Sequence, residues 1–311
     1  MSDEREIIKS ASGYYRLRFQ NYNKITSKTY KLVCEEGKCY VMKKTSLYTN
    51  EKYDFLRSQG IDNVVYPIQN TMGKYVTKKD NQLYYLMEYF PTVETLDEIK
   101  ASQMNNQLID LHLNTYYKKQ LSPKNSRKKM EDIYEYLQYK FNVIEVFIRT
   151  LEARPFDEYS ITILKNYHYI LDAKKAMGKL QKRLISDIKE KRSVNYSFVH
   201  NNPKLNHLIN NEGHQYLISL ENSKVGIPSL DIVKFYLETE DLNIDKKEII
   251  MNYFSHYSDD FYFDYFCFFV LVYYIKGIVI IDKDYISSQS FLYASSAIKK
   301  FMSTFDLNEE K

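Results

Sequence analysis

Two regimes of patterning divide the chain. Up to about residue 90, hydrophobic and polar positions alternate in short runs: Arg16 to Phe19, Thr29 to Cys34, Lys38 to Lys43, Lys74 to Thr77 and Leu83 to Tyr89. Period-two alternation of this kind predicts half-buried β-strands. Thr29-Tyr30-Lys31-Leu32-Val33-Cys34 and Cys39-Tyr40-Val41-Met42-Lys43 are joined by Glu35-Glu36-Gly37-Lys38, which reads as a hairpin. Thr49 to Ser58 predicts a helix, with Thr49 or Asn50 as its cap and Gly60 just past its end. Residues 1–12 read as a helical or frayed leader.

Beyond Phe90-Pro91 the spacing becomes helical. A short helix is expected from Thr95 to Ile99, and Gln107 to His112 lies on another. Long helices are expected from about Met130 to Leu151, with Ile133, Leu137, Phe141, Ile144 and Ile148 on one face, and from about Tyr159 to Ile188. Phe198 to Asp231 breaks the pattern into short extended segments and turns. Helical spacing returns at Ser229 to Leu237, Lys246 to His256 and Phe261 to Ile275. The expected organisation is a leader (1–14), a β lobe with one helix (15–90) and a helical lobe (91–311).

Composition narrows the class. Lys and Arg number 44 against 40 Asp and Glu, a net charge of +4 spread along the chain, so no nucleic-acid partner is implied. The basic run Lys124-Asn125-Ser126-Arg127-Lys128-Lys129 reads as a solvated loop between helices or as an anion-binding patch. Phe261 to Ile281 is the most apolar run, but it holds Asp264 and Lys276, and a charge at mid-bilayer costs roughly 2.5–3.5 kcal/mol. A buried helix is therefore expected there, and no membrane association. Cys34, Cys39 and Cys267 lack metal-ligand spacing, and the charged start Met1-Ser2-Asp3-Glu4-Arg5-Glu6 lacks a signal-peptide core, so a reduced, cytoplasmic setting is expected. The 31 tyrosines admit two readings, core packing with coding bias or interaction surfaces.

The order of these elements resembles the protein-kinase-like fold, in its aminoglycoside and choline phosphotransferase branch. The shared marks are a small antiparallel β lobe, a hinge at Met87-Glu88-Tyr89-Phe90, and a helical lobe with a histidine-bearing loop. The implied class is α+β, with a bilobed, aminoglycoside phosphotransferase-like architecture. In that branch the catalytic loop reads His-Gly-Asp, then Asn four residues on, followed by Leu-Ile-Asp-Phe and Gly-x-Pro-x-x-Asp. This chain has His200-Asn201-Asn202 with His207 at the Asn position, Leu217-Ile218-Ser219-Leu220, and Gly226-Ile227-Pro228-Ser229-Leu230-Asp231. Within the branch it is most similar to the CotS- and YutH-type spore-coat-associated kinase-like proteins. That likeness rests on Tyr84 to Tyr89, Leu108 to His112, Pro155-Phe156 and Asn166-Tyr167-His168-Tyr169.

The resemblance makes the chemistry checkable position by position. Phosphoryl transfer needs the phosphates and metal held and the attacking hydroxyl oriented by a carboxylate. Asn202 stands at the catalytic Asp, and an amide accepts no proton at neutral pH, which removes a general-base contribution of roughly 10²–10⁴-fold. Ser219 and His207 stand at the metal-binding positions, so no metal ligand set is expected. Glu221, two residues beyond Ser219, is the one substitute carboxylate. Lys43 matches the strand lysine that contacts phosphates, Glu51 is its candidate partner, and Glu88 lies at the hinge; these three form the nucleotide-binding set if a nucleotide binds. Lys43 and Glu51 read equally well as ordinary surface charges. The phosphate loop is expected at Gln20 to Ser27, and it contains no glycine. His200 and Asp231 are expected to support the loop, with Ser229 suited to cap the following helix.

The implied function is a catalytically impaired kinase-like protein, a pseudokinase, acting as a structural or interaction component of a spore coat. Its partners would be other proteins, coat proteins among them, and it would use no cofactor. The alternative is an active ATP-dependent small-molecule phosphotransferase with displaced groups, Lys43 on phosphate and Glu221 on Mg²⁺.

Overall fold

The computed structural model describes residues 2–307 apart from 36, 92–93, 156, 192 and 282–283. Glu36 of the expected hairpin and Phe156 of the family-like segment lie outside the described residues. By internal contacts the chain forms two compact units, residues 1–116 with 197–225 and 242–244, and residues 117–196 with 226–241 and 245–311.

The first unit begins with α1 (Ser2–Gly13), followed by β1 (Phe19–Thr26), β2 (Thr29–Cys34), β3 (Cys39–Thr45), α2 (Thr49–Ser58), β4 (Val76–Lys79) and β5 (Gln82–Glu88). The strands form one antiparallel sheet in the order β1-β2-β3-β5-β4. Tyr30, Leu32 and Cys34 alternate with half-buried neighbours along β2, so one face of the strand enters the core. Ile8 and Ala11 of α1 pack into that core with Leu32, Met42, Tyr84 and Leu86. The expected leader is thus an integral helix, because Ile8 and Ala11 fall three apart on one helical face.

By internal contacts the first unit runs past residue 90. α3 (Asp97–Asn114) is one helix where two were expected, and it belongs to the first unit. So does the segment 197–225, which holds β8 (Leu208–Asn211) and β9 (His214–Leu217). Backbone bonds explain the assignment: Val65 N–H donates to the Leu217 carbonyl at 3.0 Å, and Leu217 N–H to the Asn63 carbonyl at 2.8 Å. Ser197 Oγ donates to the His112 carbonyl, and Phe198 N–H to Thr115 Oγ1.

The second unit pairs β6 (Tyr117–Gln120) antiparallel with the first four residues of β7 (Ser193–Val199), and is otherwise helical. Its helices are α4 (Pro123–Glu152), α5 (Glu158–Lys191), α6 (Ser229–Glu238), α7 (Lys246–Phe254), α8 (Phe261–Gly277) and α9 (Asp284–Thr304). A short β10 (Lys224–Gly226) precedes α6. The basic run 124–129 lies within α4. Ser122 caps that helix by accepting from Asn125 N–H, and Pro123 follows it at the first helical position, where proline is well tolerated. Phe261, Phe266, Phe268, Leu271 and Ile275 of α8 are buried, and the helix packs against α5, α6 and α9. Among the described residues no helix is long and apolar enough to cross a membrane. Tyr253, Tyr262 and Tyr274 are buried in this unit, whereas Tyr273 is exposed.

Candidate functional site

The register of β3 against β5 builds the site. Lys43 lies directly opposite Tyr85, and its neighbour Met42 opposite Leu86. Met42 and Leu86 enter the core beneath α1. Strand alternation therefore places Lys43 and Tyr85 together on the other face.

What meets them there comes from the turn after β9. Ser219 has left-handed backbone angles (φ 66°, ψ 40°), and the single 3₁₀ turn Leu220–Asn222 follows it, carrying Glu221. The Lys43 ammonium donates to Ser219 Oγ at 2.9 Å and forms an ion pair with Glu221 Oε1. The second carboxylate oxygen, Oε2, accepts from the Tyr85 hydroxyl at 3.2 Å. From α2, Lys52 Nζ donates to the Glu221 main-chain carbonyl at 2.5 Å. Burial pushes the Glu221 carboxyl upward, but the Lys43 ammonium and the hydrogen bonds outweigh it and hold the group below the usual carboxylate range. Tyr85 is raised well above an ordinary phenol, chiefly by burial and further by Tyr53 and Glu221, so it remains a donor.

The loop beside this pair is held by its histidines. Asn201 takes the left-handed conformation (φ 64°), a region asparagine tolerates better than most residues. Its amide donates to the Asn222 carbonyl at 2.9 Å. His200 is fully buried; Nε2 donates to the Ile218 carbonyl at 2.8 Å, and Nδ1 accepts from Asn202 N–H at 3.3 Å. His207 Nδ1 donates to the Asn202 carbonyl at 2.8 Å, and its ring stacks on His200 with centroids 5.6 Å apart. Burial, the largest influence, depresses His207 to about 4 against that hydrogen bond, with His200 and Lys43 acting in the same direction as burial. His207 is therefore a neutral imidazole whose Nε2 carries a lone pair.

Several expected placements change. The ion pair expected between Lys43 and Glu51 does not form: Lys43 pairs with Glu221, and Glu51 is exposed in the first turn of α2. The phosphate loop expected at Gln20 to Ser27 is instead strand β1 through Thr26, closed by a tight turn in which Lys28 N–H donates to Thr26 Oγ1. Ser229 does not cap α6; Pro228 is the cap residue, and the Ser229 hydroxyl donates to the Tyr262 carbonyl at 2.8 Å. Glu88 ends β5 as an exposed residue opposite Tyr40, and Asp231 is fully buried in the first turn of α6. Tyr85 and Lys52 were not anticipated as site residues. Period-two alternation across the β3–β5 pair identifies Tyr85, whereas Lys52 carries no signal, since one of many lysines shows its role only once Glu221 is placed.

The donor set at these positions does not fit a Mg²⁺ ion. Mg²⁺ calls for hard oxygens, usually including one or two carboxylates. Here the candidates are an amide, an imidazole nitrogen and a hydroxyl already bonded to Lys43, and both oxygens of Glu221 are engaged. Among the described residues no group of three His, Cys, Asp or Glu is placed to hold a metal ion.

No protein-family model and no curated protein matches the sequence. Solved structures do match over nearly the whole chain. An aminoglycoside phosphotransferase from Alicyclobacillus acidocaldarius is 10% identical with a TM-score of 0.62, covering 96% of this chain and 95% of that one. A spectinomycin phosphotransferase in complex with ADP and spectinomycin is 14% identical with a TM-score of 0.55, covering 97% and 98%. The choline kinase of Streptococcus pneumoniae is 18% identical with a TM-score of 0.50, covering 96% and 100%. The shared feature is the fold, an antiparallel-sheet amino-terminal region and a helical carboxyl-terminal region.

Proposed function

We propose that this chain, built on the aminoglycoside phosphotransferase-like fold, is a pseudokinase that serves as a structural or interaction component. One observation carries the reading: the Lys43 ammonium is already matched by a carboxylate of its own chain, Glu221, and by Ser219 Oγ. A phosphate would compete with that carboxylate for the ammonium, and no second carboxylate stands at Asn202, His207 or Ser219 to bring a metal with it. The tight turn between β1 and β2 supports the same reading, since it offers no glycine backbone to approach a triphosphate.

Association with a spore coat belongs to the same proposal. Its support is the likeness of Tyr84 to Tyr89 and Leu108 to His112 to the CotS- and YutH-type proteins, together with the missing carboxylates. The rival is a working phosphotransferase, as the solved neighbours' names describe for those proteins, with Glu221 moved onto metal. Engagement of both Glu221 oxygens speaks against it.

The test is ADP release from Mg·ATP over a panel of aminoglycosides, choline and simple alcohols. The expected result is no release above the enzyme-free background. Multiple turnovers that vanish in Glu221→Gln would establish the rival. In a spore-forming host, recovery of the tagged chain in the coat fraction supports the coat role, and its exclusion from that fraction removes it.

A further inference from the structure

We infer that the β6 edge and the first turns of α4 form a docking surface for an acidic, extended peptide segment of a partner protein. β6 (Tyr117–Gln120) is the outermost strand of its sheet and pairs on one side only, with β7. All four of its residues are exposed. Among the described residues no hydrogen bond joins its other backbone edge to the rest of the chain. An unpaired strand edge is a row of donors and acceptors to which an extended peptide can add.

Charge selects the partner. From Tyr117 to Met130 the sequence contains Lys118, Lys119, Lys124, Arg127, Lys128 and Lys129 and no acidic residue. All six basic side chains are exposed. Lys119 lies over the Tyr196 ring of the neighbouring strand at 4.6 Å, and Arg127 pairs with Glu131 one turn on, so for four of the six no partnering carboxylate or ring is found among the described residues. The amino-terminal end of the thirty-residue α4 adds the positive end of its dipole. Lysines on an edge strand also discourage pairing with like chains. That role is compatible with the proposal, because they repel a second copy of this strand and attract an acidic one. A nucleic acid or anionic membrane would meet the charge but would leave the strand edge unused. The inference stands whether or not nucleotide binds elsewhere.

The experiment is fluorescence anisotropy with the full chain and a labelled peptide of alternating Glu and Val. Four controls run beside it: the same peptide with Lys for Glu, the same peptide with Pro at alternate positions, an RNA duplex, and anionic vesicles. The expected result is salt-sensitive binding of the acidic peptide alone. Affinity should fall about tenfold or more, corresponding to 1.4 kcal/mol or more, in K118E/K119E and in K128E/K129E. The milder K118Q/K119Q, with thermal unfolding as a check on folding, should show a smaller loss in the same direction. Equal binding of the proline-interrupted peptide would overturn strand addition. Unchanged binding in both charge-reversed variants, or binding of only duplex or vesicles, would overturn the surface itself.

Discussion

The Lys43 ammonium and the Glu221 carboxylate, brought together from β3 and the turn after β9, neutralise one another on the face of the sheet that also carries Tyr85. Each side chain retains 16–17% exposure, so the pair is shielded from water on most sides. Shielding makes the loss of one partner costly, because the remaining charge stays behind without its counter-ion.

Glu221→Gln should therefore destabilise the fold. The expected loss is about 1–3 kcal/mol, below the roughly 3–5 kcal/mol for a fully buried pair because some water reaches both groups. Urea unfolding at pH 7 measures it. Lys43→Met in the Glu221→Gln background should recover part of the loss, since the stranded charge is then gone.

Tyr85→Phe removes only the hydroxyl that donates to Glu221 Oε2 at 3.2 Å. The expected cost is about 1.5–3 kcal/mol, typical of a hydrogen bond to a charged group. In a double-mutant cycle with Glu221→Gln the two effects should be less than additive, because both remove the same contact.

Acid should weaken the protein through His207. Its folded value of about 4 lies below the unfolded value of 6.5, so between these pH values the unfolded chain binds more protons. Stability then rises with pH from about 4 to 6.5 and is flat above, with a contribution of at most about 3 kcal/mol. Glu221, whose folded value is also depressed, adds a further loss as pH falls through its own range. Unfolding midpoints measured from pH 4 to 8 should show this slope, and His207→Asn should flatten its upper part.

The degree to which the fold was legible follows from local signals. β2 and α2 lie where alternation and helix-end residues put them, at Thr29–Cys34 and Thr49–Ser58. α9 (Asp284–Thr304) falls in the region read as helical but had no bounds assigned, because Ser287, Ser288, Ser290, Ser295 and Ser296 interrupt its apolar stripe although several are buried against it. β6 was missed because four exposed residues carry no alternation. At the site, Lys43, Asn202, His207 and Ser219 were visible from motif spacing. The partner of Lys43 was not, since Glu51 is near in sequence and Glu221 is near only after the β3–β5 register and the Leu217 backbone bonds are formed.

Restoring the carboxylates separates two obstacles. Asn202→Asp with Ser219→Asp supplies metal ligands, and aspartate tolerates the left-handed backbone at 219. Lys43 still faces Glu221 in that double variant. Adding Glu221→Gln should strengthen Mg²⁺-dependent binding of a fluorescent ATP analogue about tenfold or more over the double variant. Equal affinities would show that Glu221 is no obstacle.

The most direct measurement is calorimetric titration of the unmodified chain with ATP in the presence of Mg²⁺. With Lys43 matched by Glu221 and no carboxylate at 202 or 219, the expected result is no saturable heat up to about millimolar nucleotide, a binding free energy weaker than roughly −4 kcal/mol. Saturable, Mg²⁺-dependent binding in the micromolar range would contradict the account.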